Sequence, residues 1–240
     1  WGSYGTAESQ FRYPLGVATD AAGNVYVADT GNHRIQVFTE TGTFLRQWGS
    51  SGSGEGQFRY PRGLAVDPGG LRLYVVDVSN HRVQVFTTAG VFVNQWGGYG
   101  SAPGQFRSPS GVAVASDGSV YVADKGNYRV QQFTGDGTFV REWGTYGTGP
   151  SRFVSPYGVA VESGNGLVCV GDYTNNCVQV FLPNGYYQTQ WGTSGSGEGQ
   201  FRGPFLLGAD ASGNVYVADS ENHRIPVFVQ VPVPSSRTTW

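Results

Sequence analysis

The chain has 240 residues, enough for one large all-β domain or two ordinary ones, and a formal net charge of −2. That near-neutral balance, 15 basic against 17 acidic side chains, leaves no global field to draw nucleic acid or an anionic membrane. Only 13% of residues are charged while 38 are Gly, and Val, Tyr, Phe and Trp abound, a β composition with many turns that excludes disorder.

A Trp-Gly pair recurs at Trp1, Trp48, Trp96, Trp143 and Trp191, at spacings of 47, 48, 47 and 48 residues. Trp240 follows 49 residues after the last. A fixed period of this length marks repeat architecture. Five copies with no linker between them favour one domain.

The first copy sets the pattern. Gln10 to Pro14 leads in, and Gly16 to Asp20 reads as a short strand. Ala21 to Asn24 is a turn before a second strand, Val25 to Asp29. Thr30 to His33 turns again, and Arg34 to Phe38 alternates as a third strand. Glu40 to Gly42 turns into a fourth, Thr43 to Trp48. Four short strands with turn chemistry between them form a meander. One such sheet cannot bury both faces, but copies stacked around an axis can, which predicts a propeller with four strands per blade. Helical periodicity is absent.

The later copies follow in register. Pro14-Leu15-Gly16 recurs at Pro61-Arg62-Gly63, Pro109-Ser110-Gly111 and Pro156-Tyr157-Gly158, and the fifth copy breaks it as Pro204-Phe205-Leu206-Leu207-Gly208. A strand-ending Asp recurs at Asp29, Asp77, Asp124, Asp172 and Asp219, with an Asn three residues on at Asn32, Asn80, Asn127, Asn175 and Asn222. The stretch Asn24 to Phe38, with the tripeptide Asn-His-Arg at 32–34, 80–82 and 222–224, resembles the NHL repeat. The resemblance covers essentially the whole chain. It implies an all-β propeller of five four-stranded NHL-like blades over residues 1–228, with repeats starting near 1, 48, 96, 143 and 191. Members of that family usually close with six blades, so a six-bladed ring lacking one blade is the alternative. NHL propellers serve as protein-binding and RNA-binding platforms, as extracellular modules and occasionally as enzymes.

Candidate sites divide between scaffold and chemistry. The five Asp residues are expected to bond turn backbone or the Arg of their own blade, at Arg34, Arg82, Arg129 and Arg224, rather than to form a carboxylate ring. The fourth copy has Cys177 at the Arg position and Cys169 where the others have Tyr26, Tyr74, Tyr121 and Tyr216. This joint change predicts a cross-strand disulfide, suited to an oxidising compartment, with two free buried thiols as the alternative. His33, His81 and His223 share one position, filled elsewhere by Tyr128 and Asn176. Lyases with similar propellers place His ligands around the channel, so the resemblance keeps a catalytic zinc open at these three residues. The residues themselves favour a turn role and no metal.

No Gly-x-Ser-x-Gly, His-Glu-x-x-His or Walker loop occurs, and no catalytic residue or cofactor is assigned. Residues 51–57 and 194–200 are Gly-rich but read as blade linkers. Arg12, Arg59, Arg107 and Arg202 recur after Phe but are balanced by acids, which weighs against RNA. Trp48, Trp96, Trp143 and Trp191 favour packing between blades over carbohydrate stacking.

The last copy is the irregular one. Pro226 stands where the others have Gln36, Gln84, Gln131 and Gln179, and Pro removes a ladder donor. Residues 229–240 then read as a Pro-punctuated tail, or as the outer strand of the last blade. Pro226, Val229 and Trp240 are therefore assembly candidates. The expected function is a non-catalytic, extracellular or cell-surface interaction and structural module, with a protein partner or self-association, as a subunit of a larger, filamentous assembly. A lyase- or hydrolase-type enzyme using the channel, and an RNA- or protein-binding platform, are the alternatives. No membrane span is expected, since no stretch approaches roughly 18 apolar residues. The missing initiator Met and leader mark an expected mature or excised segment.

Overall fold

A computed structural model describes residues 1–229. Trp240 and the rest of the proposed tail beyond Val229 lie outside the described residues. Each repeat folds as an antiparallel sheet, and five blades follow one another around a channel. Blade 1 comprises Val17–Thr19, Val25–Asp29, Arg34–Phe38 and Phe44–Trp48 in that spatial order. Blade 2 comprises Pro61–Val66, Arg72–Asp77, Arg82–Thr87 and Phe92–Gly97. Blade 3 comprises Val112–Val114, Val120–Asp124, Arg129–Phe133 and Phe139–Trp143. Blade 4 comprises Pro156–Val161, Val168–Asp172, Cys177–Phe181 and Tyr187–Trp191. Blade 5 has Pro204–Ala209, Val215–Asp219 and the short Val227–Phe228 among the described residues. No helix of the described residues is long and apolar enough to cross a membrane.

The core consists of four blade-to-blade interfaces. Between blades 1 and 2, Tyr26, Ala28, Ile35 and Val37 meet Phe58, Leu64, Leu73, Val75 and Phe86. Alternation along each strand sends one residue set forward to the next blade and the other set back. The Trp residues clamp the same interfaces. Trp48 lies 5.7 Å from Phe86, Trp96 5.6 Å from Phe133 and Trp143 5.7 Å from Phe181, between ring centroids. The last turn of blades 1 to 4 carries Gly for this, at Gly42, Gly90, Gly137 and Gly185. At Gly137 (φ +89°) a Cβ would sit 2.5 Å from the Trp96 ring, so both the left-handed backbone and the close approach require glycine.

Register corrects the expected disulfide. Cys177 stands opposite Asp172, while Cys169 stands opposite Val180. The two cysteines therefore occupy levels three residues apart, about 10 Å at the strand rise, and opposite faces of the sheet. A disulfide needs Cα atoms within about 7 Å. Both thiols are free and buried, and burial pushes each up to about 12.

Pro226 shortens the third strand of blade 5. Its carbonyl still accepts from Val217 N at 3.1 Å, but ladder pairing is confined to Val227 and Phe228, with one bridge between Asp219 and Arg224. Val229 is exposed.

Candidate functional site

The residues that recur in every blade build the blades. In four blades a short 3₁₀ turn separates the second and third strands, at Thr30–Asn32, Val78–Asn80, Lys125–Asn127 and Ser220–Asn222. The Asp before each turn is fully buried and organises it. Asp29 accepts from Arg12 N at 2.7 Å, Asn32 Nδ2 at 2.9 Å, Arg34 Nε at 2.7 Å and Gln36 Nε2 at 3.1 Å. Asp77, Asp124 and Asp219 hold their Arg at 2.9, 2.9 and 2.8 Å. Each Arg spreads its remaining donors over carbonyls of the preceding loop, as Arg82 does on Ser53, Gly54 and Gln57. Carboxylate and guanidinium thus pin the blade linker to its sheet. The buried Gln in three of these networks, Gln36, Gln84 and Gln131, has a plain repeat signal, yet sequence reasoning treated it only as a position that Pro226 interrupts.

Blade 4 solves the same problem without an Arg. Asp172 accepts from Val154 N and Ser155 N, each at 2.9 Å, and from Asn175 Nδ2 at 2.7 Å. Burial raises its carboxyl above the ordinary value against the pull of those donors. Asp124 is raised for the same leading reason.

The three His residues do not converge. Each follows a 3₁₀ turn in the left-handed region, with φ of 56°, 55° and 53° for His33, His81 and His223. His33 Nδ1 accepts from Tyr60 N at 3.1 Å and His81 Nδ1 from Ser108 N at 3.0 Å, each donor on the lead-in of the next blade. Asn176 does the same in blade 4, its Oδ1 accepting from Gly203 N at 3.0 Å. Among the described residues, no three His, Cys, Asp or Glu side chains gather as a metal set.

The acceptor role demands a neutral imidazole. Burial lowers His81 from its ordinary value, outweighing Asp124 and Asp77. The unfolded chain therefore takes up a proton first on acidification, near the ordinary value of about 6.5, and stability is lost as pH falls through that value. His81→Asn keeps the acceptor and removes the titration. Its urea midpoint between pH 7.5 and 5.5 is expected to fall less than the parent's. Equal falls would show that His81 carries none of the dependence.

Residues outside the repeat pattern crowd one end of the channel. Arg62 of blade 2 reaches across to Tyr157 of blade 4 and Phe205 of blade 5, its guanidinium carbon 5.4 and 5.7 Å from their ring centroids. Lys125 Nζ of blade 3 lies 4.5 Å from the Tyr157 centroid and donates to its hydroxyl at 2.8 Å. Tyr173 meets Tyr157 edge-on at 5.6 Å. A cavity of about 250 Å³ opens at the same end of the inner strands, lined by Gly16, Leu64, Val112, Val159 and Leu207 among others. Sequence reasoning missed this cluster. Its signal was the variation at the middle residue of Pro-x-Gly, Leu15, Arg62, Ser110 and Tyr157, set aside there in favour of what repeats.

Blade 5 carries the largest departure from the repeat geometry. Its forward face, Tyr216, Ala218, Ile225 and Val227, corresponds to Tyr26, Ala28, Ile35 and Val37 of blade 1. Those four are 0% exposed, whereas Tyr216, Ile225 and Val227 are 37%, 67% and 46% exposed. On the other side of the opening, Val17 of blade 1 is 64% exposed. Among the described residues, blades 5 and 1 do not form the interface that the other four neighbouring pairs share.

These features define a β-propeller whose repeated residues serve the scaffold. The chain belongs to the NHL repeat family, whose sequence model matches residues 11–38, 58–86, 106–133, 153–181 and 207–228. It is 52% identical over 44 residues to the B-box type zinc finger protein ncl-1 of Caenorhabditis elegans, a match spanning 18% of this chain and 5% of that protein. It is 51% identical over 45 residues to human NHL repeat-containing protein 3, spanning 18% of this chain and 13% of that one. Among solved structures, virginiamycin B lyase from Staphylococcus aureus superposes with a TM-score of 0.63 at 14% identity, covering 92% of this chain and 71% of that one. The nidogen/laminin complex gives 0.66 at 16% identity, covering 90% and 75%. At those identities the likeness is one of fold.

Proposed function

We propose that the chain is a non-catalytic protein-interaction module, with the open forward face of blade 5 as its principal contact surface. The exposure of Tyr216, Ile225 and Val227, beside their buried counterparts in the other blades, carries this reading. An apolar strip at the open side of a repeat array is a docking surface by default. The nidogen/laminin structure, a protein complex containing a propeller of similar fold, supports an interaction role. Scarce charge and a single lysine, Lys125, support an extracellular or cell-surface setting. The free cysteines withdraw the support that a disulfide would have lent. A contact at this face that does not close on itself would extend into a filament.

The face is expected to accept a blade of the same kind. Appending residues 49–96 after position 229 supplies a covalent stand-in for the partner sheet. Full burial of each aliphatic side chain is worth about 1.5–3 kcal/mol. The extended chain is therefore expected to melt several degrees higher and to bind less of a hydrophobic dye. Ile225→Asp, harmless at an exposed site in the parent, should abolish the gain. Unchanged melting and dye binding in the extended chain would refute this contact surface.

A further inference from the structure

We propose that Arg62 and Lys125 form a carboxylate-binding site at the channel mouth, with the adjoining cavity taking the ligand's apolar body. The two cations come from different blades and meet over the Tyr157 ring. Neither pairs with an acid among the described residues, whereas the blade arginines Arg34, Arg82, Arg129 and Arg224 all do. Arg62 Nε is buried with no hydrogen-bond partner among the described residues. A donor left without a partner costs stability, and an acceptor placed against this guanidinium would relieve that cost. Lys125 spends one of its three donors on the Tyr157 hydroxyl and keeps the others.

The surroundings hold both side chains in place. Tyr157, Tyr173 and Phe205 are half-buried and packed ring on ring, with Tyr157 and Phe205 centroids 4.6 Å apart. Glu221 is engaged by the Tyr173 hydroxyl. Burial acts to raise the Tyr157 phenol, but the Lys125 hydrogen bond and the charges of Lys125 and Arg62 outweigh it and leave it lowered. Surroundings that ease ionisation of a phenol also favour another oxyanion placed there.

The chemistry fits one carboxylate better than a polyanion. A nucleic acid strand needs a track of basic residues, and the chain's net charge of −2 provides no steering toward one. Two converging cations beside an apolar cavity instead match a single carboxylate with an apolar body: a peptide C-terminus or a free aliphatic acid. Arg supplies directional donors and Lys a point charge. The cavity shares Tyr216 and Ile225 with the blade-5 face, but the two cations that would hold the carboxylate lie outside that face, so the losses in Arg62 and Lys125 variants are read separately from its test.

Calorimetric titration of the full chain tests it. The probes are N-acetyl-Gly-Val-Leu as the free acid, the same peptide as its C-terminal amide, hexanoate, and a single-stranded oligouridylate. The free acid is expected to bind, the amide at least tenfold more weakly, and Lys125→Gln and Arg62→Gln each to lose tenfold or more. Peptide acid binding above hexanoate identifies a protein terminus as the source, and equal binding identifies the carboxylate alone. Arg62→Lys should recover part of the loss. Should Arg62→Gln not fold, the half-exposed Lys125→Gln decides. Acid and amide binding alike, no carboxylate binding, variants binding as the parent does, or RNA alone binding would each overturn the proposal.

Discussion

Asp77→Ala is expected to lower unfolding stability by about 3–5 kcal/mol, the cost of removing one partner from a buried ion pair. Asp77 is fully buried and collects Arg59 N at 2.7 Å, Asn80 Nδ2 at 2.8 Å and Arg82 Nε at 2.9 Å. Alanine strands these three donors, removes the longer contact from Gln84 Nε2 at 3.3 Å, and leaves Arg82 charged and 10% exposed, with only neutral acceptors around it. Asp124→Ala should cost less, because Arg129 also meets Glu142 at 2.6 Å and keeps a counter-charge. The ordering of the two variants is the sharper statement, since both carboxylates hold the same backbone position. Urea denaturation at pH 7 measures it. Equal losses would deny Glu142 its compensating part, and an unchanged midpoint for Asp77→Ala would deny that the ion pair stabilises the blade.

Periodicity made the fold legible. The Trp spacing, the Pro-x-Gly motif and the strand-ending Asp each recur because one blade's forward face must fit the next blade's rear face, and that demand is written at every copy. The broken copy was legible for the same reason, since Pro226 occupies a position whose side chain is otherwise a buried Gln. The cysteines misled because a joint change reads as contact, whereas the Tyr and Arg positions they replace belong to different faces of the sheet. Cys169 joins the forward interface with Val178 and Val180, and Cys177 faces Asp172. The channel-mouth cluster was invisible for the opposite reason. Arg62, Lys125, Tyr157 and Phe205 lie in four different blades, scattered over more than half the sequence, and only curvature of the array brings them together. Repeats advertise scaffold, and a site unique to one chain must be assembled from what does not repeat.

Cys177→Arg is expected to stabilise the protein at neutral pH by about 1–3 kcal/mol, the worth of hydrogen bonds to a charged partner. The position faces Asp172, as Arg34 faces Asp29 and Arg129 faces Asp124. The loop beneath has the same length as in the other blades, and the matching carbonyls stand at Gly149 and Arg152, the latter already bonded by Gln179 Nε2 at 2.7 Å. The pH dependence identifies the cause. In the parent, burial raises Asp172, so the unfolded chain gives up its proton first as pH rises. Stability is lost as pH climbs from the unfolded value near 3.9 through the folded one. An opposing guanidinium pulls the folded value down and reduces that loss. The gain should therefore be large at pH 7 and small below pH 4, where the carboxyl is protonated in both folded and unfolded chains. Denaturation midpoints at the two pH values decide. A gain equal at both would mean that the longer side chain merely packs better than cysteine, and no gain at pH 7 would mean that the Val154 and Ser155 amides already satisfy Asp172 as fully as an arginine can.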